Sequence, residues 1–360
     1  MVRTAAVRWA GWIVGVLVLG LLAAWVWWRE SDTAARWRFE EAMATYCGGV
    51  LAYEKGPLFE GLWPGLELPN DVALGPEAQF CLVGEGRTAV TVALLRGDYR
   101  DQDLERILRG SDSTLIPVPL TGGWRGTANG EVVRVLLPCQ GGTDLVSVTV
   151  GSYSSLNASD EEEARRKSES GWIGSDLYWA RFATATAAKA SAHWDCKAEA
   201  GKPLRALPAI TGPEQTSEAD GTCAGLPFAR DHRLDTVQET VVGAGALTEM
   251  CEVGASEYFN ARYEFSASFG PYAARQRNQG GQSNHDREAG VNKYGGVWAS
   301  ARCPGDAVRA HFTGFVPAEA ATVWRPGEKG KETFGLPAFR EFAERSAKRH
   351  GCTDLRLPAQ

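Results

Sequence analysis

Eight cysteines are the residues of this sequence whose type and spacing most clearly indicate chemistry. They form two sets of four, and the gaps in the first set (34, 58 and 57 residues) resemble those in the second (28, 52 and 49). An even number of widely spaced cysteines is typical of structural disulfides formed in an oxidising compartment. The sets are Cys47, Cys81, Cys139 and Cys196, then Cys223, Cys251, Cys303 and Cys352.

Metal binding is the alternative chemistry for these cysteines. Zinc sites bring their ligands in close pairs such as C-x2-C, whereas the nearest two cysteines here, Cys196 and Cys223, are 27 residues apart. The five histidines show no paired spacing either. We therefore expect four disulfides, no metal and no cofactor.

Spacing alone does not give the pairing, since four cysteines allow three pairings within one set. The hypothesis that we favour joins the first cysteine of each set to the fourth, and the second to the third. The second and third border strands of one predicted sheet, while the first and fourth bracket the set. The predicted bridges join Cys47 to Cys196, Cys81 to Cys139, Cys223 to Cys352 and Cys251 to Cys303.

Motifs of known catalytic sites are absent from the sequence: it has no G-x-S-x-G, no H-E-x-x-H, no P-loop and no dinucleotide fingerprint. We therefore expect that the protein is not an enzyme. Tryptophans are the remaining candidates for ligand contact, because exposed indoles bind sugars and peptides. The candidates in loops are Trp63, Trp124 and Trp172, whereas Trp179 and Trp298 lie on predicted elements and should be in the core.

The sequence around the cysteines is repeated, which predicts an internal duplication. CGGV at 47–50 matches CAGL at 223–226, and CLVG at 81–84 matches CEVG at 251–254. LRALP after the first set likewise matches LRLP after the second. We therefore predict two homologous extracytoplasmic domains, repeat A at 47–208 and repeat B at 223–360, joined by a linker at 209–222.

Each repeat has strand-like segments followed by a helix-like segment, which predicts an α+β fold: an antiparallel sheet with a packing C-terminal helix. A turn at Gln140-Gly141-Gly142 predicts a hairpin in repeat A. Residues 276–294, rich in Gly, Asn and Gln, are predicted to be a loop. The predicted strands are 77–83, 89–95, 132–137, 145–150, 246–251, 258–269, 297–302 and 307–315, and the helices are 176–194 and 338–350.

The stretch Trp9–Trp28 contains twenty residues without a charge. A helix needs about 20 apolar residues to cross a bilayer, and tryptophans at both ends suit the two interfaces. A cleaved signal peptide is the alternative, but its apolar region would be shorter. We predict a cytoplasmic tail at 1–8, a transmembrane helix at 9–28 and a juxtamembrane helix or stalk at 29–46.

The cysteines predict on which side of the membrane the two domains lie. All eight lie after the apolar stretch, and disulfides form outside the cytoplasm. We therefore expect a single-pass protein of the cell membrane with a cytoplasmic N-terminus and extracytoplasmic domains. The formal net charge of −6 argues against a nucleic-acid partner, because nucleic-acid binding depends on basic patches.

A short N-terminal anchor, an Arg/Ala/Gly-rich remainder and CGG- and CAG-type cysteine repeats together resemble membrane-anchored extracytoplasmic proteins of actinobacteria, of the Streptomyces-type group. The resemblance covers the general layout of the whole chain. It implies a location in the cell envelope and carries over no catalytic residue. Our hypothesis is a binding or interaction protein whose partner is an envelope protein or glycan. The alternatives are an envelope enzyme with a site assembled from scattered residues, and a structural spacer.

Overall fold

The computed structural model describes residues 2–52, 71–83, 88–99, 103–108, 115–152, 176–210, 212–228, 234–243, 245–254, 261–279, 287–292, 295–315 and 334–359. Within these residues the chain forms two antiparallel β-sheets and six α-helices. This arrangement confirms the α+β class that the sequence predicts.

The N-terminal part of the chain forms two helices, α1 (Val2–Arg29) and α2 (Asp32–Thr45). In the part of the chain that is described, no helix combines the length and the hydropathy that a membrane crossing requires. Helix α2 is capped by Ser31, and its Phe39 and Met43 side chains are buried in the core of repeat A. Helix α2 is therefore packed against repeat A and does not serve only as a stalk.

The first sheet belongs to repeat A and has the strand order β1-β2-β3-β7-β6-β5-β4. A short helix, α3, lies between β3 and β4, and helix α4 follows β7. The elements are β1 (Asp71–Gly75), β2 (Ala78–Val83), β3 (Thr88–Leu95), α3 (Leu104–Ile107), β4 (Val118–Pro119), β5 (Arg125–Ala128), β6 (Val132–Pro138), β7 (Leu145–Ser152) and α4 (Asp176–His193).

The second sheet belongs to repeat B and has the order β12-β13-β14-β11-β10-β9-β8, with β15 also paired to β13. Strand β8 lies in the segment that we predicted to be a linker. The elements are β8 (Glu214–Gln215), β9 (Thr236–Glu239), β10 (Thr248–Gly254), β11 (Ala261–Ser268), α5 (Pro271–Gln279), β12 (Gly290–Val291), β13 (Val297–Arg302), β14 (Ala310–Phe315), α6 (Gly335–Arg349) and β15 (Thr353–Arg356).

The two sheets share one topology. Strands β1, β2, β3, β7 and β6 of the first sheet are neighbours in the same order as β9, β10, β11, β14 and β13 of the second. In each repeat a helix follows and packs on the sheet. The matching strand order supports the duplication that the repeated cysteine sequences predict.

Local sequence explains where these elements begin and end. The β6–β7 hairpin turns at Gly141, which has φ 80° and therefore suits glycine. Pro337 lies in the first turn of α6, where a proline loses no hydrogen bond. The same helix ends just before Gly351, which has φ 63°. The predicted loop 276–294 is only partly irregular, because α5 extends to Gln279.

Each sheet has an inner face, which packs on its own C-terminal helix, and an outer face on the opposite side. On the first sheet, Trp179 and Ala183 of α4 belong to the inner core. On the second, Phe339 and Phe342 of α6 do so. Trp179 and Trp298 are 3% and 4% exposed, which confirms that both are buried.

The outer faces of the two sheets are turned toward each other with helix α5 between them. Gln276 of α5 donates from Nε2 to Thr313 Oγ1 of the second sheet at 3.2 Å. On the other side of α5, Arg275 lies 3.0 Å from Glu105 of α3, and the ring of Tyr272 joins a buried cluster that includes Leu136 of the first sheet. The two repeats are thus held as one unit by a shared core.

The disulfide pairing differs from our hypothesis. The first cysteine of each set is bonded to the second, and the third to the fourth, with Cα–Cα distances between 4.0 and 5.7 Å. The pairs are Cys47 with Cys81, Cys139 with Cys196, Cys223 with Cys251 and Cys303 with Cys352.

Strand order explains why the predicted pairing is wrong. Cys81 lies on β2 and Cys139 directly follows β6, and β3 and β7 separate these two strands. Three strand spacings of about 4.8 Å place the strands about 14 Å apart, beyond the roughly 7 Å that a disulfide can span between Cα atoms. In repeat B, strands β11 and β14 likewise separate β10, which carries Cys251, from β13, which Cys303 directly follows.

Candidate functional site

A surface groove of about 680 Å³ runs beside helix α6 of repeat B. One wall is a face of α6, and the other is formed by the turn that carries Cys223. The groove is lined by Asp220, Gly221, Ala224, Val242, Glu341, Glu344, Arg345, Lys348 and Arg349.

The groove carries charges of both signs in equal number, with three carboxylates and three basic groups among its lining residues. Glu341 and Arg345 form an ion pair one helical turn apart on α6. Arg345 also packs on Gly225, where a side-chain Cβ would come within 2.6 Å of its guanidinium. A groove of this kind favours a ligand that itself carries both charges, because like charges repel across an interface.

A buried charged network lies behind the groove. The Glu249 carboxylate accepts hydrogen bonds from Ser346 Oγ at 2.6 Å and from Arg349 Nη2 at 2.7 Å, and it lies 3.0 Å from His350 Nε2. The His350 ring stacks on Phe269 with centroids 3.8 Å apart. Arg349 therefore joins the groove, which it lines, to the core of repeat B.

The ionised form of Glu249 is strongly favoured in this network. Burial by itself raises the pKa of Glu249, but hydrogen bonds from His350 and Arg349 outweigh burial and lower the pKa to about 2. Ser346 donates to the carboxylate and not to the histidine. The arrangement therefore lacks the serine–histidine contact that activates a nucleophile, and its role is to hold α6 on the sheet.

Three carboxylates meet at one end of the groove: atoms of Glu214, Asp220 and Glu239 lie within 4.8 Å of one another. Glu239 is buried and accepts hydrogen bonds from the backbone N–H groups of Asp220 at 2.9 Å, Gly221 at 2.7 Å and Cys223. Burial, followed by a hydrogen bond to Glu239, raises the pKa of Glu214. Glu239, the buried member of this cluster, thus already accepts hydrogen bonds from backbone N–H groups.

In repeat A, Asp71 plays the same structural role that Glu239 plays in repeat B. Asp71 is the register partner of Cys81, as Glu239 is of Cys251. Asp71 Oδ2 accepts a hydrogen bond from the Cys47 N–H at 2.8 Å, as Glu239 does from Cys223. This carboxylate fixes the turn that carries the first cysteine of each repeat, which is a structural role.

The Glu249 network, in contrast, belongs to repeat B alone. Counted from the matching cysteines, the positions of Glu249, Ser346, Arg349 and His350 are occupied in repeat A by Gln79, Ala190, His193 and Trp194. Sequence motifs did not identify Glu249. The available signal was strand alternation, which places Glu249 on the same inward face as Cys251 and Val253.

Of the three tryptophans proposed as ligand contacts, Trp124 lies within the described residues. Trp124 is 6% exposed, its Nε1 donates to the Lys202 carbonyl at 2.8 Å, and its ring packs against Gly201. It is therefore a core residue and not the exposed loop indole that we expected, because the chain after Cys196 covers it. Trp63 and Trp172 lie outside the described residues.

A second carboxylate pair lies on the outer face of the second sheet. Glu252 of β10 and Glu264 of β11 are directly opposite each other in the antiparallel register. Burial, and then repulsion by Glu264, raises the pKa of Glu252 to about 7. A like-charged pair in this position destabilises a sheet when both groups are ionised.

We therefore expect Glu252→Gln to stabilise the protein at pH 8 and to have little effect at pH 4. The pKa of Glu252 is higher in the folded chain than the usual value of 4.5, so folding stability is lost as the pH rises from about 4.5 to 7. Glutamine does not ionise, and the gain at pH 8 should be on the order of 2 kcal/mol. The difference in melting temperature between variant and parent at the two pH values measures this stabilisation.

Glu264→Gln provides the matched comparison, because it removes the repulsion and the burial cost of Glu264 itself, whose pKa burial also raises, but leaves Glu252 buried. Its stabilisation at pH 8 should be smaller than that of Glu252→Gln, since burial is the larger cause of the raised pKa. Equal melting temperatures of Glu252→Gln and the parent protein at pH 8 would contradict this account.

Among the described residues, the groove beside α6 is lined by charges of both signs, and the Glu249 network and a disulfide hold its helix in place. The comparisons bring no further assignment: no family model, curated protein or solved structure matches this chain.

Proposed function

We propose that this chain is a single-pass protein of the cell membrane whose two disulfide-bridged repeats lie outside the cytoplasm and act as a binding or interaction module. The anchor is the uncharged stretch Trp9–Trp28, which has the length that a membrane helix needs. Apolar side chains from Val16 to Trp28 are exposed on α1. Exposed apolar surface of that extent is typical of contact with a membrane or a partner.

The observation that carries the proposed location is the state of the cysteines. All eight are paired in four disulfides, and all eight follow the apolar stretch. Disulfides persist in oxidising compartments and are rare in the cytosol. A cytoplasmic N-terminus with both repeats outside is the orientation that agrees with this pairing.

A binding role is supported by the groove beside α6 and by the rigidity behind it. Binding sites work best on elements held by packing and by a second layer of hydrogen bonds, and α6 is held by Glu249 and by the bridge from Cys303 to Cys352. The partner we propose is an envelope protein or glycan.

The location is tested by expressing the full chain in an actinobacterial host and fractionating the cells. We expect it in the membrane fraction, resistant to carbonate extraction. It should not react with a maleimide-polyethylene glycol reagent until it is denatured and reduced. Protease added to intact protoplasts should digest the repeats and leave a short N-terminal fragment. Recovery of reduced, protease-protected protein in the cytosol would refute the proposal.

An envelope enzyme is the second candidate, and the observation that favours it is the Glu252 and Glu264 pair. A carboxyl group with a pKa of about 7, directly opposite a second carboxyl group, has the acidity that general acid–base catalysis near neutral pH requires. Turnover of a glycoside or ester by the purified full chain, lost in Glu252→Gln, would favour this alternative. Binding without turnover would favour the interaction module.

A further inference from the structure

A cluster of arginines lies on the outer face of the second sheet, where β15 pairs with β13. Arg309 contacts Asp354 at 2.7 Å and donates to Ser300 Oγ at 3.0 Å. Arg356 lies 2.9 Å from Asp354 and 3.4 Å from Glu288. The cluster consists of Arg277, Arg302, Arg309 and Arg356 around Glu288 and Asp354.

The cluster has an excess of positive charge. Its four guanidinium groups surround two carboxylates, which leaves two positive charges among the described residues in a chain whose net charge is −6. Arg309 is nearly buried, and its donors are used by Asp354 and Ser300. Arg302 and Arg356 are 70% and 56% exposed, so their remaining donors face solvent.

The fold of the repeat does not require these charges. Counted from the matching cysteines, Arg302 and Arg309 correspond to Pro138 and Leu145, which close the equivalent hairpin in repeat A. Asp354 corresponds to Ala198 by the same count. In repeat A the hairpin position is used for the shared core, which includes Leu145. In repeat B, Ala307 and Val308 of the hairpin pack against the same core, whereas Arg302 beside them is open to solvent.

We propose that Arg302 and Arg356 bind a phosphate group, with Arg309 as a positioning residue that holds Asp354 and through it Arg356. The planar guanidinium fork matches the oxygens of phosphate and carboxylate. The excess of two charges matches a phosphate monoester, which carries about −1.5 to −2 at pH 7, better than a single carboxylate. The inference goes beyond the proposed binding function, since the cluster shares no residue with the groove beside α6, and it names the chemistry of the ligand as a phosphate, either free or on a sugar.

The proposal is tested by calorimetric titration of inorganic phosphate into the full chain in a neutral detergent, at fixed ionic strength in chloride. We expect saturable binding that is at least tenfold weaker in the double variant R302Q/R356Q. The matched control is R106Q/R205Q. Arg106 and Arg205 are exposed arginines of repeat A that do not belong to the cluster; this variant should bind within twofold of the parent.

Absence of phosphate binding by the parent, or equal binding by both double variants, would overturn the proposal. If R302Q/R356Q does not melt like the parent, the single variant R302Q replaces it, because Arg302 is the most exposed member. A hexose phosphate is titrated in parallel: tighter binding than inorganic phosphate identifies a glycan source, and equal binding identifies free phosphate. The titration uses purified protein, so a wrong membrane location would not affect it.

Discussion

Replacing Glu249 by glutamine is expected to lower the free energy of unfolding by about 3 kcal/mol, because it removes a buried carboxylate from the partly buried Arg349 and leaves that arginine without its counter-charge. The Glu249 side chain is almost completely buried and is hydrogen-bonded to Ser346, Arg349 and His350. Thermal melting of the purified full chain measures the loss, which should appear as a decrease of roughly 10 °C or more. The control is Glu344→Gln, an exposed acid of the same helix, which should melt like the parent.

The effect should depend on pH in a defined direction. The pKa of Glu249 is about 2 in the folded chain and about 4.5 ordinarily, so its stabilisation is present above pH 4.5 and is lost as the pH falls toward 2. The difference between parent and Glu249→Gln should therefore shrink in acid. A double variant, Glu249→Met with Arg349→Met, should recover part of the stability, since an apolar pair carries no unpaired charge. No recovery would show that the ion pair itself is not the cause.

Removal of the bridge from Cys303 to Cys352 is expected to lower the free energy of unfolding of repeat B by about 4 kcal/mol. The bridge closes a loop with a sequence separation of 49 residues, and in the chain-entropy account a loop of that size contributes about this much. It also ties the end of α6 to the β13–β14 hairpin, so its loss should loosen the groove. The double variant Cys303→Ala with Cys352→Ala is compared with the parent by thermal melting under non-reducing conditions.

Replacing one cysteine at a time checks the disulfide pairing on which this prediction depends. Cys47→Ser should free the thiol of Cys81, whereas a bridge from Cys47 to Cys196 would leave the thiol of Cys196 free. Alkylation before digestion and mass spectrometry identify the free thiol. Labelling of Cys196 in that variant would contradict the structure.

Much of the fold was predictable because it is local. The predicted strand 297–302 matches β13, and the predicted helix 176–194 matches α4 to within one residue. Alternation of side chains and Gly or Pro at turns specify such elements without long-range information. Helix α5 was missed because its sequence is polar. It is stabilised by the first sheet, which packs on Tyr272, by Glu105 of α3, which pairs with Arg275, and by Thr313 of the second sheet, which accepts from Gln276.

The candidate sites were less predictable than the elements that carry them. Glu249 comes together with Ser346 and His350 across about 100 residues of chain, and no spacing rule covers such a distance. The arginine cluster is assembled in the same way from α5, β13, the β13–β14 turn and β15. Trp124 looked exposed because Gly flanks it, but a distant segment of chain covers its ring.

The sequence by itself determined that the chain has a duplicated α+β architecture with all its cysteines paired, because repeats, alternation and cysteine number are properties of the chain in order. Only the tertiary structure decided which cysteines pair, since strands β3 and β7 enter between β2 and β6 and separate Cys81 from Cys139. It also decided that the outer face of repeat A is covered by repeat B, while the matching hairpin of repeat B carries the exposed Arg302. The two repeats thus share a strand order but pack on each other through non-equivalent surfaces.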